Sequence, residues 1–202
     1  MTKIKLCGIS RASDIAEANL LQPDFIGFVF AKKSSRFVAP EQACGLKKLL
    51  RPEIRAVGVF VNESPEAVAA LLNRGVIDLA QLHGSEDGEY IRRLRDLTES
   101  PLIQAFRIRS KEDLSRAEAS AADEILLDAG AGSGTVFDWS LLRNMERRYF
   151  LAGGLNPENV RAAIRDLHPY GVDVSSGIET DARKDRTKMA AFVAAVREEN
   201  RR

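Results

Sequence analysis

Apolar positions along the chain fall into two recurring patterns. Short runs dense in β-branched, aromatic and other apolar residues have the length of strands: IKLC (4–7), FIGFVF (25–30), AVGVF (56–60), DLAQL (78–82), LIQAF (102–106), EILLD (124–128), YFLA (149–152) and GVDVS (171–175). Between them the apolar residues return every three or four positions, as on one face of a helix, in SDIAEANLL, PEQACGLKKLL, SPEAVAALLNR, GEYIRRLRDL, KEDLSRAEA, NPENVRAAIRDL and KMAAFVAAVREE. Ser64 before Pro65, and Asn156 before Pro157, set a capping side chain ahead of proline at the first helical position.

Eight strand signals separated by helices make a repeat of about 25 residues, the signature of parallel βα units. The expected fold is α/β, a (β/α)8 barrel formed as a single domain over residues 1–202, near the small end of that class. An open doubly wound sheet is the rival. It carries G-x-G-x-x-G in its first βα turn, and CGISRAS lacks that spacing. No Pro/Ser-rich linker or low-complexity tract divides the chain. AGAGSGT (129–135), directly after a strand, is expected to be a mobile βα loop.

Composition narrows the partners. Thirty Lys and Arg against 29 Asp and Glu leave a net charge of +1, so no global field draws nucleic acid or a membrane surface. A local anion site stays open. Apolar runs such as MAAFVAAV (189–196) fall well short of the roughly 18 residues of a membrane span. Cys7 and Cys44 stand in no metal-ligand or redox spacing, and the first strand begins where a secretion signal would lie, so a cytoplasmic protein is expected. Helix periodicity fits a monomer and a homodimer equally.

In a (β/α)8 barrel, chemistry gathers at the C-terminal ends of the strands. There this parse sets Cys7 after strand 1, His83 after strand 4 and Asp128 after strand 6. Two late loops carry an anion signal: Gly153 and Gly154 after strand 7, and Ser175, Ser176 and Gly177 after strand 8. Glycine bares backbone N–H groups, serine adds a hydroxyl donor, and this is where phosphate commonly binds in the fold. The substrate is therefore expected to be a phosphorylated small molecule.

A thiol with an ordinary pKa of about 8.5 needs nearby positive charge to act as a base, and Arg11 and Arg36 are candidate sources. A carboxyl with an ordinary pKa of about 3.9 needs burial or a neighbouring anion to act as an acid. Such a pair would have its two pKa values pushed apart by environment. Arg36 can grip a carboxylate with its fork, and His83 can donate a hydrogen bond at the rim. Cys44, in a helix, and His168, in LHPYG, read as a packing and a turn residue; Trp139 reads as an anchor for the glycine loop.

KLCGIS, DFIGFVF with SSRFV, VGVFVN, QLHGSE, LLDAGAGSGTVFDW, LAGGLNPENV and GVDVSSGIE, in that order, closely resemble the phosphoribosylanthranilate isomerase family of tryptophan biosynthesis. The resemblance runs nearly end to end, with TDARKDRTKM (180–189) slightly shortened. It implies an Amadori rearrangement without metal or organic cofactor. It also implies Asp128 as the acid, Cys7 as the base and Arg36 on the anthranilate carboxylate, with the phosphate held by Gly153, Gly154, Ser175, Ser176 and Gly177. A related barrel isomerase of histidine biosynthesis, with a carboxylate where Cys7 stands, is the nearest alternative. A silent phosphosugar-binding protein is the other.

Overall fold

Parallel strands need crossover connections, and here each strand run is followed by enough chain to return over the outside of the sheet. The computed structural model, which describes residues 1–130, 142 and 145–201, has eight such strands: β1 (Lys3–Cys7), β2 (Phe25–Val29), β3 (Arg55–Phe60), β4 (Leu79–Leu82), β5 (Leu102–Arg107), β6 (Glu124–Asp128), β7 (Tyr149–Ala152) and β8 (Gly171–Val174). Each is hydrogen-bonded in parallel to the next, and β8 returns to β1 with Lys5 opposite Asp173, so the sheet closes into a barrel. The helices are α1 (Ala12–Leu21), α2 (Pro40–Leu49), α3 (Pro65–Asn73), α4 (Gly88–Arg95), α5 (Lys111–Glu118), α6 (Val160–Leu167) and α7 (Arg186–Glu199). Among the described residues no helix is long and apolar enough to cross a membrane.

Strand alternation sorts the core into an outer and an inner part. Ile4 and Leu6 join the large layer between sheet and helices, together with Ile26, Phe28, Val68 and Phe192. Phe25, Val57, Leu79, Ile103, Leu126 and Phe150 fill the barrel interior, and above them Cys7 packs on Val29 and Val59. A charged pair also lies inside: Lys5 is fully buried and its Nζ donates to Asp173 Oδ1 at 2.9 Å.

Two local features depart from the periodic reading. Ser64 caps α3 by accepting from Ala67 N at 3.3 Å, as its place before Pro65 predicts. Asn156, however, only closes a turn, accepting from Glu158 N and Asn159 N at 3.0 Å each, and α6 begins at Val160. Asn156 and Asn159 satisfy each other's backbone N–H before the helix starts, Asn159 Oδ1 accepting from Asn156 N at 2.9 Å. The second is a short antiparallel hairpin after β8, absent from the periodicity, in which β9 (Glu179–Thr180) pairs with β10 (Arg183–Lys184).

Candidate active site

Cys7 ends β1 pointing inward, two residues beyond Lys5 on the same face, and its side chain is buried. Burial pushes its thiol above the ordinary value; the Lys5 and Lys184 ammonium groups pull the other way, and the Asp173 carboxylate adds to the rise. The positive charges beside the sulfur are thus lysines as well as arginine. Arg36 feels the Cys7 charge, but Arg11 turns away to Asp14 at 2.6 Å and the Lys184 carbonyl at 3.0 Å. A hairpin brings the second lysine over the rim. Lys184 Nζ donates to Glu179 Oε1 at 2.6 Å and to the Ser175 carbonyl at 2.9 Å. A β-carbon on Gly8 would meet Arg36 Cδ at 2.6 Å, Ser175 Oγ at 3.0 Å and Lys184 Nζ at 3.2 Å, so only glycine lets the chain leave β1 beneath these groups.

Arg36 has its fork engaged. Its Nε and Nη2 donate to the two Glu179 oxygens at 2.7 and 2.6 Å, leaving Nη1 and the second Nη2 hydrogen for another acceptor. Burial would raise the Glu179 carboxyl, yet the hydrogen bonds and charges of Arg36 and Lys184 outweigh it and hold the group below its ordinary value.

Asp128 ends β6 on the same rim, half-buried. Burial would raise its carboxyl, but the hydrogen bond and charge of His83, the charge of Arg107 and the Gly130 N–H together hold it below the usual range. His83 Nε2 lies 3.4 Å from Asp128 Oδ2, and His83 Nδ1 lies 3.1 Å from Gln81 Nε2. The protein's own groups thus favour thiol and carboxylate, the reverse of the charge states that the sequence reading assigns to the reacting groups. Among the described residues the groups that act on Asp128 besides burial all favour its carboxylate, and at Cys7 burial outweighs the pull of the two lysines.

The two glycine loops meet. Gly153 and Gly154 have φ of +92° and +69°, and a β-carbon on Gly153 would fall 2.5 Å from Gly130 N and 2.6 Å from Asp128 Oδ1. One on Gly177 would overlap the Leu155 carbonyl oxygen, so the loops after β7 and β8 are in van der Waals contact there. Ser176 is exposed and opens a 3-10 turn over Ser176–Ile178. Ser175 Oγ is 3.3 Å from Lys184 Nζ, which sets one lone pair of the hydroxyl oxygen.

Cys44 is half-buried and packs on the core from α2, and His168 is the left-handed cap of α6 with φ +45°, as their sequence contexts suggest. Trp139 and residues 131–135 of the glycine stretch lie outside the described residues. Among those described, no three His, Cys, Asp or Glu side chains gather as a metal site. Lys5, Gln81, Asp173, Glu179 and Lys184 are the groups that sequence reasoning passed over. For Lys5 and Gln81 the signal was present, since Lys5 precedes Cys7 by two residues within β1 and Gln81 precedes His83 by two at the end of β4.

Residues 4–195 match the family model described as N-(5'-phosphoribosyl)anthranilate (PRA) isomerase. A protein of Acetivibrio thermocellus named N-(5'-phosphoribosyl)anthranilate isomerase is 45% identical, over 98% of this chain and 97% of the relative. Among solved structures, phosphoribosyl anthranilate isomerase from Thermotoga maritima superposes with a TM-score of 0.89 at 36% identity, covering 98% of this chain and 100% of that one. A phosphoribosyl anthranilate isomerase in complex with reduced 1-(o-carboxyphenylamino)-1-deoxyribulose 5-phosphate gives 0.88 at 37%, with coverage of 98% and 100%. With a barrel of this order and matches along nearly its whole length, the chain belongs to the N-(5'-phosphoribosyl)anthranilate isomerase family.

Proposed function

We propose that this protein carries out the aldose–ketose isomerisation of tryptophan biosynthesis that its family name describes, with Asp128 as general acid and Cys7 as general base. In that Amadori rearrangement N-(5-phosphoribosyl)anthranilate becomes 1-(2-carboxyphenylamino)-1-deoxyribulose 5-phosphate. Asp128 gives a proton to the ribose ring oxygen as the C1–O bond breaks, and the nitrogen lone pair forms the C1=N iminium. Cys7 then takes the proton from C2, and the C–H electrons flow into the iminium to give an enolamine, which tautomerises to the ketone. One acid and one base suffice, because the substrate supplies its own electron sink.

The observation that carries this reading is the pair of strand ends: Cys7 on β1 and Asp128 on β6 stand at one rim of one closed barrel, each among ionisable partners. The reactive state differs from the resting one by a proton moved from sulfur to carboxylate. Substrate binding favours that exchange. A phosphate dianion on Gly153, Gly154, Ser175, Ser176 and Gly177 adds negative charge on the loop that abuts Asp128, which raises its carboxyl. The ammonium groups of Lys5 and Lys184 stabilise the thiolate formed. The free edge of Arg36 holds the aryl carboxylate, and His83 hydrogen-bonds at the ring-oxygen side.

The test is turnover of freshly generated N-(5-phosphoribosyl)anthranilate, followed by the change in its anthranilate fluorescence, beside the corresponding histidine-pathway aminoaldose. Conversion of the first substrate is expected. Binding of either without conversion would establish a silent phosphosugar-binding protein instead, and conversion of the second alone would move the chain to the other pathway.

A further inference from the structure

Gln81 sits on β4, 1% exposed, in the barrel interior, where apolar side chains otherwise dominate. Its amide meets His83 at one end only: Nε2 is 3.1 Å from His83 Nδ1, while Oε1 has no hydrogen-bond partner among the described residues. A buried acceptor left without a donor costs about 1–3 kcal/mol, so a polar residue here needs a reason beyond filling space. The two ends of an amide are the same size, and with one end unpartnered in either orientation, the group facing it decides which end it presents.

From this geometry we infer that Gln81 is a positioning residue whose amide turns with the protonation of His83, letting the His83–Asp128 pair hold and release the proton used in ring opening. With Nε2 toward the ring, the amide donates to a bare Nδ1, the neutral imidazole carries its hydrogen on Nε2, and Nε2–H points at the Asp128 carboxylate. With Oε1 toward the ring, Nδ1–H donates to the amide. The pair then carries one more proton, on Nε2 as imidazolium beside carboxylate, or on the carboxyl with Nε2 as acceptor. Asp128 delivers that proton to the ribose ring oxygen as C1–O breaks, leaving carboxylate and an imidazole protonated on Nδ1. Exchange through solvent reloads the pair and takes up the proton that Cys7 gained from C2, so the net movement is from sulfur to carboxylate. His83 is half-exposed, so such an exchange has a path.

This inference rests on Asp128 being the acid, and it accounts for an acid whose surroundings favour the anion at rest. Among the described residues the groups acting on the pair are Gln81 from β4, Arg107 from β5 and the Gly130 N–H after β6, while the nearby Glu86 carboxylate is tied to Gly84 N and Asn62 N at 2.7 Å each. Arg107 disfavours an added proton, so the amide's accepting end is the compensating feature.

The test uses Gln81→Leu and Gln81→Glu in the intact protein. Leucine removes the unpartnered buried oxygen, so thermal stability is expected to hold or rise while kcat falls by about tenfold or more and KM changes less than about threefold. Without an acceptor for Nδ1–H the pair loses its proton at lower pH, and the alkaline limb of kcat moves down. Glutamate only accepts, so in that variant the same limb moves up. Side-chain 15N NMR of His83 gives a readout independent of turnover: wild type shows a proton on Nε2 at high pH and on both nitrogens when the pair is loaded, and Gln81→Leu loses the strong Nε2–H preference. A Gln81→Leu protein that loses stability but keeps its kcat and limb, or limbs moving the same way in both variants, overturns the inference. If Asp128→Asn proves active while the NMR pattern stands, the acid assignment fails and the coupling of Gln81 to His83 survives.

Discussion

Cys7 and Asp128 end their strands at the same rim, yet their surroundings are built in opposite ways. The sulfur rests in a dense, buried mesh of charge: Lys5 locked to Asp173 beneath it, Lys184 and Arg36 locked to Glu179 above. Among the described residues the carboxylate has one half-exposed imidazole at 3.4 Å, the charge of Arg107 from the facing position on β5 and a backbone N–H, with an incompletely satisfied amide behind. Fixed charges suit a base that must bear a negative charge when it acts, since nothing has to rearrange as that charge appears. A lightly held, adaptable surrounding suits an acid whose proton must come and go.

The comparison breaks first at the reacting groups themselves. Cys7→Ser and Asp128→Asn are each expected to lower kcat by at least about 10²-fold with ligand binding retained, and normal turnover in either would erase its side of the contrast. The rigidity of the thiol side is tested by Lys5→Met, which strands the Asp173 carboxylate in the barrel. Denaturant unfolding should show a loss of about 3–5 kcal/mol, most of it recovered when Asp173→Leu is added; a loss under about 1 kcal/mol would mean the pair is not effectively desolvated.

Arg36→Ala is expected to weaken a phosphorylated ligand bearing an aryl carboxylate by about 10–100-fold, and an analogue lacking that group far less. Equal weakening of both, read by titration calorimetry, would make Arg36 a loop support. The smallest effect is a shift of pH. Burial raises the Cys7 thiol, so in a Cys44→Ala background its alkylation rate should rise only above the ordinary thiol range of about 8.5. Lys184→Met should displace that rise to still higher pH, because an ammonium group that favours thiolate is gone; a displacement downward would contradict its placement.

Much of this molecule was legible from periodicity. The strand runs match β1 to β8 within a residue or so at each end, because alternate strand residues face the helix layer and the barrel interior, and both are apolar. Cys7, His83 and Asp128 were legible because strand ends are. What escaped notice was polar and inward-facing. Lys5 lies two residues before Cys7 and Gln81 two before His83, so alternation alone puts each beside its candidate. A lysine in a strand is ordinarily taken for a solvent residue, and only closure of β8 on β1 shows that Asp173 awaits it. Glu179 and Lys184 could not be found that way: a two-residue strand has no period to detect.

The small hairpin after β8 turns through Asp181 and Ala182, both at positive φ, +50° and +57°, where asparagine and glycine are usual. It therefore stands under mild backbone stress and is clamped by Glu179 and Lys184 at its base. Since that clamp also holds Lys184 beside the sulfur, the reactivity of a residue near the N-terminus answers in part to an excursion more than 170 positions later. Editing those two turn residues offers a dial on the acidity of the Cys7 thiol that leaves the barrel wall intact.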